Sequence, residues 1–266
     1  MIRLVALDLD GTLLGADFRV ADADSEAVRA ALERGVHVVI NTSRWYGLAN
    51  RTARRLELRA PMVCHNGAHI REPLEGEELL HLRIPQAIAR EIAACCDEGG
   101  WETYTSVDGI TYMRSRWDAQ IDPARLPPDM RPAKNHAEHV TADATGFVVF
   151  GEDAVAALIE RFAGRYADVL AFPVGVGESR PYVTITAGGV DKGTGLLLVC
   201  ERLGVAPEEA MAVGDAVPDV AMFEVAGTGV AMGNAPDEVK ALATATAPAN
   251  TEGGVAWAIR RFVFER

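Results

Sequence analysis

Ile2-Arg3-Leu4-Val5-Ala6-Leu7-Asp8-Leu9-Asp10-Gly11-Thr12-Leu13-Leu14 is the stretch whose reading decides the fold. Residues 2 to 7 are almost wholly apolar and β-compatible, and a continuous run of that kind suits a parallel strand buried on both faces. Two carboxylates, Asp8 and Asp10, close the run, and Gly11 follows where the backbone must turn. Ligands of an open α/β sheet bind at the carboxyl ends of its strands, so both aspartates stand where chemistry is expected. If strand geometry persists through them, alternation places the two on one side. Carboxylates that close repel, and a divalent cation is the usual remedy. A solvated Asp-Gly turn is the plainer reading of the same residues.

Outward from this stretch the chain alternates. The pattern predicts a helix over 22–34, a strand over 36–40, a helix over 45–56 and a short strand over 61–64. That order is the grammar of a parallel sheet. Pro73, Gly76 and Pro85 then mark a hairpin, and the rhythm changes. A helix over 86–97, strands over 101–105, 110–113 and 146–150, a helix over 153–166 and strands over 169–172 and 182–186 read as an inserted α+β domain. Residues 122–135, with four prolines, read as loop. After Gly188-Gly189 come a helix carrying Leu196, Val199, Cys200 and Leu203 on one face, strands over 210–213 and 229–232, and a last helix after Asn250. The expected class is therefore α/β: a Rossmann-like parallel sheet core over 1–84 and 187–266, with residues 85–186 inserted as a cap.

The totals narrow the function. With 266 residues, 49% hydrophobic and 24% charged, the chain has ample length for a large core. Its net charge of −12 disfavours a nucleic-acid or anionic-membrane surface, though a local site for a phosphorylated substrate remains open. No apolar run approaches a membrane span, and Met1 leads straight into the first strand without a secretory pattern. Cys64, Cys95, Cys96 and Cys200 form no CxxC pair, so they read as buried thiols of a reducing compartment. The expectation is a cytoplasmic protein, monomer or homodimer, with no nucleic-acid or membrane partner.

Four further groups stand at strand ends or helix starts. Thr42-Ser43-Arg44 offers a hydroxyl and backbone amides ahead of a helix, an arrangement suited to phosphate as well as to plain capping. Lys192 opens a helix, where a cation is electrostatically misplaced unless an anion lies beside it. Gly214-Asp215-Ala216-Val217-Pro218-Asp219 follows a strand and holds two carboxylates four apart. His65-Asn66-Gly67-Ala68 ends the third strand.

Taken in order, Asp8-Leu9-Asp10-Gly11-Thr12-Leu13, Thr42, Lys192 and Asp215 with Asp219 resemble the four motifs of the haloacid dehalogenase superfamily. The Asn66-Gly67-Ala68 segment, the long insertion, residues 229–235 and Asn250-x-x-Gly-Gly-Val255 resemble its type IIB, Cof-like members, which carry a C2B cap. The resemblance implies a phosphatase of small phosphorylated metabolites, sugar phosphates being the commonest class. It implies Asp8 as nucleophile, Asp10 as general acid/base, and Lys192 as the neutralising cation. Thr42, Ser43 and Arg44 would bind substrate, and Asp8, Asp10 (by its carbonyl), Asp215 and Asp219 would hold Mg²⁺. Ser43 replaces a customary glycine, and Pro218 a customary asparagine. The rival reading is a phosphomutase of the phosphomannomutase type, for which Arg114, Arg116, Arg125, Arg131 and Arg180 are available. A non-catalytic binding module is a third reading, disfavoured because the charged positions are intact. Tyr104, Arg114, His136, Glu178 and Arg180 are polar or aromatic candidates in the cap without an assigned role.

Overall fold

A computed structural model describes residues 1–116, 122–177 and 180–265, so Glu178 lies outside the described residues. In chain order the strands and α-helices are β1 (Leu4–Leu7), α1 (Asp22–Glu33), β2 (His37–Ile40), α2 (Tyr46–Arg55), β3 (Met62–Cys64), β4 (His69–Arg71), β5 (Glu78–His81) and α3 (Gln86–Gly99). They continue through β6 (Glu102–Val107), β7 (Ile110–Arg114), β8 (Met130–Pro132), β9 (Ala144–Phe150), α4 (Glu152–Leu158), β10 (Leu170–Ala171), β11 (Val174–Gly177) and β12 (Arg180–Ala187). The chain ends with α5 (Lys192–Leu203), β13 (Ala210–Gly214), α6 (Val220–Val225), β14 (Thr228–Ala231), α7 (Asp237–Lys240), β15 (Ala245–Thr246) and α8 (Gly254–Ile259). Two compact units result, one of residues 1–80 and 190–266, the other of residues 81–189.

The first unit is built on a five-stranded parallel sheet in the order β15-β14-β13-β1-β2. Strands β1, β2, β13 and β14 are largely buried on both faces, and alternation divides their side chains between two cores. Val5, Leu7, Val38, Ile40, Met211 and Val213 face the side covered by α1, α2 and α8. Leu4, Ala6, Val39, Ala210 and Ala212 face the side covered by α5, α6 and α7. This explains why β1 reads as an unbroken apolar run rather than an alternating one. Each large side chain so buried contributes roughly 1.5–3 kcal/mol relative to exposure. The strand ends at Leu7, so alternation does not set the relation of Asp8 to Asp10; the Asp8 N–H still extends the ladder to Val213 O at 3.0 Å.

The second unit carries a seven-stranded sheet, β10-β12-β9-β6-β7-β8 with β11 added on β12. All of its pairs are antiparallel except β7 with β8. Phe147, Val149, Val183 and Ile185 join Ile92, Cys96 and Leu158 of α3 and α4 in one core. Three elements differ from expectation, β11 being a strand where none was expected. Residues 122–135 contain β8, whose Pro132 is tolerated because the strand lies at the sheet edge, where a missing N–H breaks no ladder. The helix expected over 153–166 stops at Leu158 and widens into a π turn over Ile159–Ala163.

His136 is fully buried in this unit, with Nδ1 2.9 Å from Thr105 Oγ1. Burial, helped by the Arg114 charge, pulls its imidazole down to about 4. The unfolded chain would protonate it near 6.5, so its contribution is fully present above that pH and is lost as pH falls through about 4. The expected size is on the order of 3 kcal/mol. Urea titrations at neutral and acidic pH should show a smaller acid loss in His136→Gln than in the wild type; equal losses would contradict it.

Candidate active site

The carboxyl ends of β1, β2 and β13 bring the motif residues together within the first unit. Lys192, the first residue of α5, is 2% exposed. Its Nζ donates to Asp8 Oδ1 at 2.7 Å and to Asp219 Oδ1 at 2.5 Å. The cation that seemed misplaced at a helix start is held by two carboxylates. Its helix is separately capped: Asp191 accepts from Thr194 N, and Thr194 Oγ1 accepts from Asp191 N. Asn41, at the end of β2, donates from Nδ2 to Lys192 O at 2.8 Å and ties α5 to the sheet.

Asp219 spends its other oxygen on the turn that follows β13, accepting from Asp215 N and Ala216 N at 2.9 Å each. Pro218 sits in the first turn of a short 3-10 helix over Val217–Asp219, where no N–H is required of it. Asp215 is oriented on both oxygens: Thr12 Oγ1 donates to Oδ1 at 2.9 Å, and Asn234 Nδ2 approaches Oδ2 at 3.4 Å. Asn234 also donates to Gly11 O at 2.8 Å and accepts from Asn250 N, while Asn250 Nδ2 donates to Leu14 O. Gly11 has φ of +78°, and a Cβ there would fall 2.3 Å from Asp215 Oδ2. Only glycine meets both conditions.

The second motif divides its work. Thr42 is fully buried; its Oγ1 accepts from Arg44 N at 3.2 Å, which leaves its own proton free to donate. Ser43 Oγ donates to Asn66 Oδ1 at 2.9 Å. Arg44 turns to Asp10, donating from Nε to Oδ2 at 2.6 Å and from Nη2 to Oδ1 at 2.5 Å. Every residue expected at the site is thus in one unit. The neutral members Thr12, Asn41, Asn234 and Asn250 went unassigned in the sequence, where asparagine at a strand end reads as readily as a turn.

Burial raises the Asp8 carboxyl well above its usual range; Lys192 opposes the rise, and Asp219, Asp215 and Asp10 add to it. Burial, then the Asp219 charge, pushes Asp215 up to about 7. For Lys192 burial acts to lower, but Asp219 and Asp8 outweigh it and hold the ammonium protonated. The carboxylate oxygens of Asp8, Asp215 and Asp219 lie within 4.8 Å of one another. An all-oxygen, charge-rich donor set fits a hard divalent cation.

Residues 5–259 match the haloacid dehalogenase-like hydrolases, and the chain belongs to that family. It is 30% identical to the 5-amino-6-(5-phospho-D-ribitylamino)uracil phosphatase YcsE of Bacillus subtilis, over 98% of this chain and 96% of that one. It is likewise 30% identical to the pyridoxal phosphate phosphatase YbhA of Escherichia coli, over 96% of each. The fold is shared with the subclass IIB sugar phosphatase BT4131, at a TM-score of 0.79 and 22% identity, over 98% of this chain and 99% of that one. The Rossmann-like core with an inserted cap is therefore the type IIB arrangement, and the protein is an enzyme of the phosphatase class.

Removing the lysine should leave Asp8 and Asp219 buried without their counter-charge. Lys192→Met is expected to lose roughly 3–5 kcal/mol in urea unfolding, as broken buried pairs do. In the wild type, a divalent cation at roughly a hundredfold excess over its Kd should add about 2.7 kcal/mol. Identical melting temperatures with chelator and with cation would remove the metal assignment.

Proposed function

We propose that this enzyme is a Mg²⁺-dependent phosphatase that hydrolyses small phosphorylated metabolites, sugar phosphates among them, through an aspartyl-phosphate on Asp8. The observation that carries the reading is the buried Asp8–Lys192–Asp219 ion triad with Asp215 beside it. In such a site little is asked of the protein beyond positioning and charge stabilisation. Asp8 attacks phosphorus, the bond to the leaving oxygen breaks, and Asp10 supplies that oxygen with a proton. Asp10 then takes a proton from the water that attacks the phospho-aspartate, releasing phosphate and restoring Asp8. Lys192 holds Asp8 in place and offsets charge on the phosphoryl group. Thr42 donates its free proton, with nearby amides, to a phosphoryl oxygen. Asp8, Asp215 and the Asp10 carbonyl would hold Mg²⁺. Asp219, expected from the sequence as a ligand too, has its oxygens taken by Lys192 and two backbone N–H groups and would anchor the loop instead. When bound, the ion supplies Lewis-acid charge stabilisation.

The relatives named above act on phosphate esters of small molecules, which supports that substrate class. A mutase needs cap side chains free for a second phosphate. Arg114 is bonded to Asp97 and to the carbonyls of Cys96, Trp101 and Lys134. Arg125 pairs with Asp122, Arg131 bonds the carbonyls of Pro128 and Met130, and Arg180 pairs with Glu102. The engagement of Arg114 favours the phosphatase, whereas Arg125 stays largely exposed.

The test is phosphate release from a panel of phosphorylated metabolites with Mg²⁺. Asp8→Asn should lower turnover by roughly 10³-fold or more, with a phospho-adduct on Asp8 in the quenched wild type and none in the variant. Background release combined with bisphosphate-dependent conversion of a hexose 1-phosphate to its 6-phosphate would hand the reading to the mutase.

A further inference from the structure

Asp10 lies beyond the last residue of β1, so the sheet does not fix its side chain. Its carboxylate is 38% exposed, and an aspartate so placed ordinarily samples several rotamers. Here both oxygens are taken by one guanidinium, Oδ2 by Arg44 Nε and Oδ1 by Arg44 Nη2. That two-point fork sets the plane as well as the position of the carboxylate, which an ammonium could not do. A carboxylate offers about four lone-pair sites, so the fork leaves one on each oxygen to carry a proton.

Arg44 is itself braced. Its Cζ lies 5.3 Å from the centre of the Phe18 ring and 5.8 Å from that of Trp45, both within cation–π range. Trp45 is buried, but Phe18 is 46% exposed and adds little to any core. Phe18 nonetheless holds a left-handed backbone, φ +57°, at the tip of a tight loop closed by Gly15 N to Arg19 O and Phe18 N to Gly15 O, each 2.9 Å. A bulky residue in that region is disfavoured and persists where surrounding contacts over-determine it. What the conformation gains is an aromatic face against Arg44.

We propose that Arg44 is a positioning residue for Asp10, and that Phe18 braces Arg44 in that task. The inference rests on Asp10 being the proton carrier of the proposed phosphatase. It separates Arg44 from Thr42: the arginine serves the proton-transfer group, not the phosphate.

The experiment compares kcat/KM for an alkyl phosphate, whose leaving oxygen needs a proton, with p-nitrophenyl phosphate, whose leaving oxygen scarcely does. Asp10→Asn is the reference. Arg44→Lys should lower the alkyl value by about 10- to 100-fold and the p-nitrophenyl value by less than about threefold, a fraction of the usual contribution of general acid catalysis. Phe18→Ala, which removes an exposed side chain and leaves the fold intact, should move the ratio the same way by a smaller factor. Arg44→Lys added to Asp10→Asn should change neither value further, since the two act as one unit. Competitive inhibition by inorganic phosphate should be unchanged in Arg44→Lys. Equal losses on both substrates, additivity in the double variant, or weakened phosphate inhibition would overturn the proposal while Asp10→Asn keeps its leaving-group signature. Loss of that signature in Asp10→Asn itself would overturn the underlying reading of Asp10.

Discussion

One ammonium group, Lys192 Nζ, lies between the carboxylates of Asp8 and Asp219, with all three side chains almost wholly out of water. Each would be unfavourable alone, since burying an unpaired charge is among the most expensive events in folding. Together they fasten the end of β1 to the start of α5 and to the turn after β13. Asp219 extends the effect by holding two backbone N–H groups of that turn, which sets where Asp215 stands. Asn41 holds the lysine's own carbonyl from β2. The ends of β1 and β13 and a helix start therefore meet on a single positive charge, and the end of β2 joins them through the backbone of the same residue.

The same arrangement leaves the site short of positive charge. One lysine faces a cluster of carboxylates, and burial has raised the proton affinity of Asp8 and Asp215. A site in that condition attracts a divalent cation, because charge compensation is worth more where water is excluded. With such a cation bound, the proposed phosphatase site would offer a transferring phosphoryl group fixed partners that do not reorganise during reaction. The neutral residues matter here for direction rather than charge. Thr12 and Asn234 grip the two oxygens of Asp215, and Asn250 grips Asn234, so the acidic group has a set orientation before any ligand arrives.

The parallel core was legible because burial on both faces leaves an unbroken apolar strand, as in residues 4–7, and because charged residues at the ends of such strands stand out. Lys192 was legible for its apparent misplacement at a helix start. The asparagines were not: Asn41, Asn234 and Asn250 act through hydrogen bonds to groups distant along the chain, and asparagine in a turn has a local explanation available. Arg44 read as a phosphate ligand because its neighbours do. Its partner Asp10 is 34 residues away, and no local pattern marks a fork of that kind. Strand β8 was hidden by Pro132 and by the three prolines that precede it, which argue for loop unless the strand is known to lie at an edge.

Lys192 is 184 residues from Asp8, and β13, which pairs with β1, comes after the whole inserted unit. Strand β1 thus acquires one neighbour, β2, from nearby sequence and the other only after a very long loop has closed. Loop closure over such separations is entropically unfavourable and slow relative to local pairing. During synthesis, β1 leaves the ribosome long before the lysine and carboxylates that complete the surroundings of Asp8. Until then its second edge is open to any extended partner, a period in which the nascent chain is exposed to mispairing and a natural client for chaperones.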